Sequence, residues 1–484
     1  MCEIKSLSLR KLIVTCCFIC LFGLQCKLVT AQSIYISPDI NIKNDFSYFI
    51  LPHPNGTISL LRDKSFKISL QTLSPEFQWG VEKSIELPGR KWRIIDLFEW
   101  DNDIDIFYVS KMETSYGIYL NRYNSQPSLI HEKLIYDGVA VSSNDDIKIK
   151  YASNKNWMAI GFQNLSDERL MVLYNRKADS IYYTLNLTKQ FQEERQHIYD
   201  VEISDQGSVY LFGRTSESNR KKVQTLITKI GLDGNLFEAK ELPLKDYYFT
   251  SGMAKIDNVA GSLAYGGLYS ERSNTSPEGY AIGFINDENQ MSEINFVQFS
   301  TSLLKEWSGN SKKSILSNSE LNTRSIEFKS DSGCLIFYEN TKELSRRPYF
   351  SATDPTGAYT TRWYDYYFDD IIVASFDKKG ALLWEKVFHK RQYSQDDQGL
   401  FSSFFIFHTN SVLRIIFNDA ISSEGTVSEY ILKPGGEFIR KSILNTSYKN
   451  LNLRFKDAME LDAQSLLVPS ENNGKLNLVK IVFD

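Results

Sequence analysis

A β-propeller of four-stranded antiparallel blades is the fold this sequence predicts, and three observations predict it. Short segments rich in Val, Ile, Phe and Tyr recur between Asn, Asp and Gly, with hardly any stretch of helical period: "IDIFYVS" (104–110), "GSVYLFG" (207–213), "GSLAYGGLY" (261–269), "GCLIFY" (333–338) and "SVLRIIF" (411–417). Aligned on these strands, the chain divides into imperfect units of four strands, A to D, each about 50 residues long before insertions. The last unit, "QSLLVPSENNGKLNLVKIVF" (464–483), stops one strand short, whereas "SIYIS" (33–37) is a strand with no partner nearby.

The first 31 residues stand apart from the repeats. Arg10 and Lys11 precede the apolar run "LIVTCCFICLFGL" (12–24) and a small-residue exit, "LVTAQS" (28–33), with Val29 and Ala31 where signal peptidase prefers them. Residues 1–31 therefore read as a cleavable export signal, with the mature chain starting near Gln32. The run is short of the ~20 residues of a membrane span, and Gln25 before Cys26 disfavours a lipoprotein. No second long apolar run follows, so no transmembrane segment is expected in the mature chain, which would reside in the periplasm, on the cell surface or outside the cell.

The strand units then follow as one domain, 32–484. Tight A–B turns fall near Asn55, Asn102, Asn154, Gly207, Gly261, Gly333, Asn410 and Ala463, mostly residues that tolerate unusual backbone angles. Three stretches share a C–D hairpin grammar, with glycine fifth: "IGLDGNLFEAKEL" (230–242), "FDKKGALLWEKVF" (376–388) and "LKPGGEFIRKSIL" (432–444). Eight blades is the best count, with seven the alternative. Pairing 33–37 with the last unit would close the ring and remove two exposed sheet edges. The competing fold is a pair of β-sandwiches joined near 301–320.

Five of the six cysteines lie in the leader, leaving Cys334 alone in an apolar strand, so size rather than disulfides must stabilise the exported chain. The leader carries four of the 55 basic and one of the 59 acidic residues, which leaves the mature chain at −7. Mild acidity without a basic run argues against a nucleic-acid partner.

Insertions point to a binding face. Strands in a blade alternate in direction, so A–B and C–D turns leave one face of the disc while B–C and D–A connections leave the other. The longest insertions, 270–278, 301–320, 340–367 and 389–398, are all B–C or D–A connections of neighbouring units, and such loops are often functional. "TKELSRRPYFSATDPTGAYTTRWYDYYFDD" (341–370) offers Arg346, Arg347, Arg362, Trp363, Tyr364, Asp365 and Tyr366. "HKRQYSQDDQG" (389–399) adds Lys390, Arg391, Gln392, Asp396 and Asp397. Aromatic faces stack on sugar rings or apolar peptide groups, while carboxylates and guanidinium groups fix polar orientation. The alternative for Tyr364, Tyr366 and Phe368 is that they alternate along strand C and pack on the next blade.

The stretch 366–419, with "GGLYSERSNTSPEGYAIGFI" (266–285) and the terminal "KLNLVKIVF", resembles a group of secreted repeat proteins from Bacteroidetes. Trp384, Lys390, Arg391, Gln392, Ser394, Asp396, Ser402 and Ser403 follow that group's pattern, but His389 stands where the group tends to have proline. The resemblance covers the second half well and the first half loosely. It implies export and a β-repeat fold, and no activity.

Catalytic motifs are absent. The five histidines have no zinc-ligand spacing, no G-x-S-x-G elbow or phosphate loop occurs, and "DNDID" (101–105) lacks the register of a calcium loop. No cofactor or metal is called for. The expectation is a secreted binding or scaffold protein that recognises a saccharide, peptide or protein through the inserted face. The alternatives are a glycan hydrolase or lyase using Asp365, Asp369, Asp370, Asp396 and Asp397, and a cell-envelope assembly subunit.

Overall fold

The computed structural model describes residues 32–483, except 66, 125, 141–146, 191–194, 217–222, 245, 273–275, 287, 309–319, 347–362 and 422–424; residues 1–31, read above as an export signal, lie outside the described residues. Eight antiparallel sheets follow one another in chain order. Blade 1 comprises Ser47–Pro52, Ile58–Asp63, Ile68–Leu73 and Lys83–Ile85, and blade 2 comprises Arg90–Trp100, Asp103–Met112, Ser115–Tyr123 and Leu129–Asp137. Blades 3 to 7 open at Lys148, Arg195, Tyr248, Glu320 and Phe405. Blade 8 takes Met459–Asp462, Ser465–Asn472 and Lys475–Val482 from the end of the chain, and Ser33–Ile36 from its start.

Burial explains why each strand carries the residues it does. Strands B and C have neighbours on both faces, so Ile58–Asp63 and most of Asp103–Met112 are buried. Outer strands such as Leu129–Asp137 alternate toward solvent. Among the described residues, buried apolar side chains form eight clusters, one at each junction between consecutive blades. Strand B of blade 6 shows how: Ile336 and Tyr338 pack toward blade 5, Leu335 and Phe337 toward blade 7. The cluster of Ile58, Leu60 and Leu73 with Leu467, Leu476 and Leu478 joins blade 1 to blade 8. Two sandwiches would not produce this cycle, and eight rather than seven is the count. Cys334 is wholly buried in the junction of blades 5 and 6, where burial pushes its thiol up to about 12.

Ser33–Ile36 pairs with Lys475–Val482 in antiparallel register, Ile34 opposite Ile481. Ser37 extends the seam: its N–H donates to the Leu478 carbonyl at 2.9 Å, and its Oγ accepts from the Leu478 N–H at 2.9 Å.

All eight expected A–B turns are turns. Asp101 and Asn102 have φ of +50° and +69° between the paired Trp100 and Asp103, the geometry a two-residue hairpin needs. The shared C–D grammar has a double cause. Gly234, Gly380 and Gly436 have φ of +73°, +80° and +89°. Each also lies against the outer strand of the preceding blade, on Tyr183, Asn295 and Trp384 respectively. A Cβ on Gly436 would stand 2.8 Å from the Trp384 ring. Gly436→Ala is therefore expected to lower stability by about 1–2 kcal/mol or more, read from the urea midpoint.

Three insertions contain regular structure. Segment 301–320 begins with the helix Thr301–Ser308, whose first turn is capped by Ser300 Oγ accepting from the Leu303 N–H at 3.0 Å. Leu303 and Leu304 bury into the junction of blades 5 and 6. Segment 340–367 is strand at both described ends, Cys334–Arg346 pairing with Trp363–Phe376 out to Arg346 opposite Trp363, and segment 389–398 holds the strand Gln392–Gln395, which adds a third strand beside Asp365–Phe368.

Candidate functional site

The extended part of blade 6 is a three-stranded sheet, so its side chains sort by register. Arg346 and Trp363 form one row, Leu344, Asp365 and Gln395 the next but one, and Lys342, Tyr367 and Tyr393 the next but one again. These rows share a face because side chains alternate along strands. At its centre the half-exposed Arg346 is ion-paired with Asp365, which is 1% exposed. Arg346 also donates to the Tyr367 hydroxyl at 3.2 Å, and the Tyr393 hydroxyl donates to Asp365 at 2.9 Å. The Tyr367 and Tyr393 rings lie 5.2 Å apart. Tyr364 and Tyr366 occupy the opposite face with Phe368, which is buried.

The remaining sequence candidates divide sharply. Arg391 is exposed, and Arg347 and Arg362 lie outside the described residues. Lys390 and Gln392 are not surface groups. The Lys390 ammonium, wholly buried, contacts Glu339 Oε1 at 2.8 Å and donates to the Phe368 carbonyl at 2.9 Å and Gln392 Oε1 at 3.0 Å. Gln392 accepts from the Ser403 N–H at 2.7 Å and donates to the Asn418 carbonyl at 2.7 Å, tying the third strand to blade 7. Their polarity suggested ligand contacts, but each polar atom is taken up inside the protein. Asp396 and Asp397 are turn caps: Asp396 Oδ1 accepts from the Tyr364 N–H at 2.8 Å, and Asp397 Oδ1 accepts from the Ser394 hydroxyl at 2.6 Å and the Gly399 N–H at 2.8 Å. Asp369 and Asp370 have carboxyls raised mainly by burial.

A second concentration of chemistry was not foreseen from sequence. The A strands of blades 1 to 6 contact one another in succession along the inner side of the ring. Four of them carry a bulge at the same place, ahead of Asp96, Asp200, Ser251 and Ser325. Asp96 and Asp200 each cap the N–H of their own successor, at 2.8 and 2.9 Å. An aspartate within "RIIDLF" and "HIYDVE", at matching distance from an A–B turn, was the available signal. Around the axis, Lys150 pairs with Asp200 at 3.1 Å, and Lys255 pairs with Glu327 at 2.8 Å. Burial, reinforced by Asp200, pushes the Glu202 carboxyl up to about 7.

His408 completes this ladder between blades 6 and 8, with Glu327 3.2 Å from Nε2 and Glu460 2.7 Å from Nδ1. Hydrogen bonds to Glu327 and then Glu460 raise His408 from 6.5 to about 9. Burial opposes ionisation of Glu327, but its bonds to His408 and Lys255 prevail and hold it at about 2 instead of 4.5. The raised histidine stabilises the fold fully below pH 6.5, a contribution lost as pH rises through about 9. The lowered glutamate contributes fully above pH 4.5 and loses its contribution as pH falls through about 2. The stability difference between wild type and His408→Asn should accordingly be largest between these limits and shrink toward pH 9; thermal melts across pH 5–9.5 check it.

An open cavity of ≈1150 Å³ occupies the axis at the A–B face, lined by blades 7, 8, 1, 2 and 3. Among the described residues no group of three or more His, Cys, Asp or Glu is placed to hold a metal ion, and no helix is long and apolar enough to cross a membrane.

No family model and no curated protein matches the sequence. Solved structures similar to this chain include Sqt1 of Saccharomyces cerevisiae, 11% identical with a TM-score of 0.46, covering 92% of this chain and 99% of that one. The β-propeller domain of the Trilobed protease from Pyrococcus furiosus is 7% identical with a TM-score of 0.37, covering 82% and 98%. Prolyl oligopeptidase B from Galerina marginata is 10% identical with a TM-score of 0.40, covering 91% of this chain and 55% of that one.

Proposed function

We propose that this β-propeller is an exported binding protein that seats a saccharide on the extended sheet of blade 6. The observation that carries this reading is the face bearing Trp363, Tyr367 and Tyr393 around the Arg346–Asp365 pair. Aromatic planes offer an apolar surface to the C–H face of a sugar ring, and a guanidinium held by a buried carboxylate presents its free N–H groups in a fixed direction to hydroxyl or carboxylate oxygens. The third strand makes the platform stiff, so little ordering free energy is lost on binding. Export rests on the leader, and the basis for choosing a saccharide over a peptide is the density of rings on one small face.

Alanine at both Tyr367 and Tyr393 is expected to reduce capture on a glycan array by at least tenfold, with the thermal transition little changed. Undiminished capture by the double variant would refute the site. Release of shortened sugars from bound polysaccharide would instead favour the hydrolase or lyase reading, and loss of that release in Asp365→Asn would assign the chemistry.

A further inference from the structure

The axial cavity lies on the opposite face from the blade 6 extension, because its rim is built from A–B turns: His53 and Thr57 of blade 1, Lys155 of blade 3, His408 of blade 7 and Asp462 of blade 8. Its wall is divided. Ile50, Phe77, Phe405, Ile406 and Met459 make an apolar sector from blades 7, 8 and 1. Next to them in the ring, blade 2 presents Asp96 and Glu99, with Phe98 and Tyr151 meeting edge to face at 5.2 Å beside them.

The carboxylates of this wall are unequal. Glu460 is matched by His408, and Asp462 accepts from the Gln464 N–H at 2.8 Å and the Ser465 hydroxyl at 2.6 Å. Asp96 accepts from the Leu97 N–H and Glu99 from the Asn102 N–H at 2.8 Å, but no ion pair joins either to a cation among the described residues. Burial raises the Asp96 carboxyl, as expected for a partly desolvated charge without a counter-ion. A further group there has spare capacity. His53, 8% exposed, hydrogen-bonds Ser59 Oγ through Nε2 at 2.8 Å, whereas its buried Nδ1 has no partner. Burial lowers its ring, against the pull of the nearby Glu99 and Asp103.

We propose that this cavity is a second binding site, taking a ligand that carries a protonated primary amine on an apolar body, its ammonium at Asp96 and Glu99 and its body against the apolar sector. An ammonium supplies the missing counter-ion, and the Tyr151 ring favours a cation beside it. The apolar sector removes the hydrocarbon from water. The volume, above the usual range for a single small-molecule pocket, leaves room for an amine presented on a longer chain, such as a lysyl side chain.

The test is calorimetric titration of the whole mature protein with 2-phenylethylammonium and with its neutral analogue 2-phenylethanol. Wild type should bind the ammonium at least tenfold more tightly. Asp96→Asn, which keeps an oxygen for the Leu97 N–H, should bring the two within about twofold while leaving the alcohol unchanged. Glu99→Gln serves the same purpose should Asp96→Asn fold poorly. Tyr367→Ala should leave the preference intact, which separates this site from the saccharide platform. Equal affinity for the two probes in wild type, absence of binding by either, or a preference retained in the folded carboxamide variants would overturn the proposal.

Discussion

Asp105→Ala is expected to destabilise the protein by about 3–5 kcal/mol, the cost of breaking a buried ion pair by removing one partner. Asp105 is inaccessible and accepts from two guanidinium groups. Arg122, directly opposite on the neighbouring strand of blade 2, donates from Nε at 2.6 Å and Nη2 at 3.0 Å. Arg176, from the C–D turn of blade 3, donates from Nε at 3.0 Å and Nη2 at 2.7 Å. Both arginines lie over Trp100, with guanidinium carbons 4.5 and 4.9 Å from its ring. Without the carboxylate, two cations face each other across the junction of blades 2 and 3, and the side chain of Arg176 is only 1% exposed. Arg176 also donates to the Glu99 carbonyl at 2.8 Å and the Lys155 carbonyl at 3.1 Å, so its displacement would disturb the rim of the axial cavity. Urea unfolding monitored by tryptophan fluorescence measures the loss. A change below about 1 kcal/mol would show that the network is solvated and contributes little.

Glu339→Gln should cost a similar amount and act on the other face. Glu339, wholly buried, meets Lys390 and Arg324 at 2.8 Å each and accepts from the Ser403 hydroxyl at 2.8 Å. The glutamine amide keeps some hydrogen bonds but leaves the Lys390 ammonium without a counter-ion, and burial already lowers that lysine. About 3–5 kcal/mol is again the scale for a stranded buried charge. The double replacement Glu339→Leu with Lys390→Met should recover much of it, since an apolar pair of similar volume is often no worse than the ion pair. Hydrogen exchange would localise the damage: residues 389–399, which carry the third strand, should lose protection first. Glycan capture should fall with it, because Tyr393, whose hydroxyl donates to Asp365, is on that strand. Recovery of stability without capture in the double variant would show that the ion pair also sets the platform's geometry.

Much of the architecture was legible because the propeller is a repeat. Strands B and C, buried on both sides, read as runs such as "GCLIFY"; the turns read as Asn and Gly; and the unmatched strand at 33–37 finds its partner in 475–482. The candidate site was legible only in part. Trp363, Asp365 and Arg346 come together on one face because hairpin register places them there. Lys390 and Gln392 carried the same polar signal and proved to be internal. Nothing local separates a lysine that faces solvent from one aimed at a glutamate 51 positions earlier in the chain. The axial residues were overlooked for a related reason. Asp96, Lys150, Glu327 and His408 lie on four separate strands, far apart in sequence.

The sequence by itself determined the class of fold, the place of each turn and the identity of the buried strands, because backbone angles and the alternation of apolar residues are properties of neighbours along the chain. Tertiary structure alone decided which charges are spent inside and which remain free. That outcome depends on the distance between groups on different blades and on how much water lies between them, and both are set only when the ring has assembled.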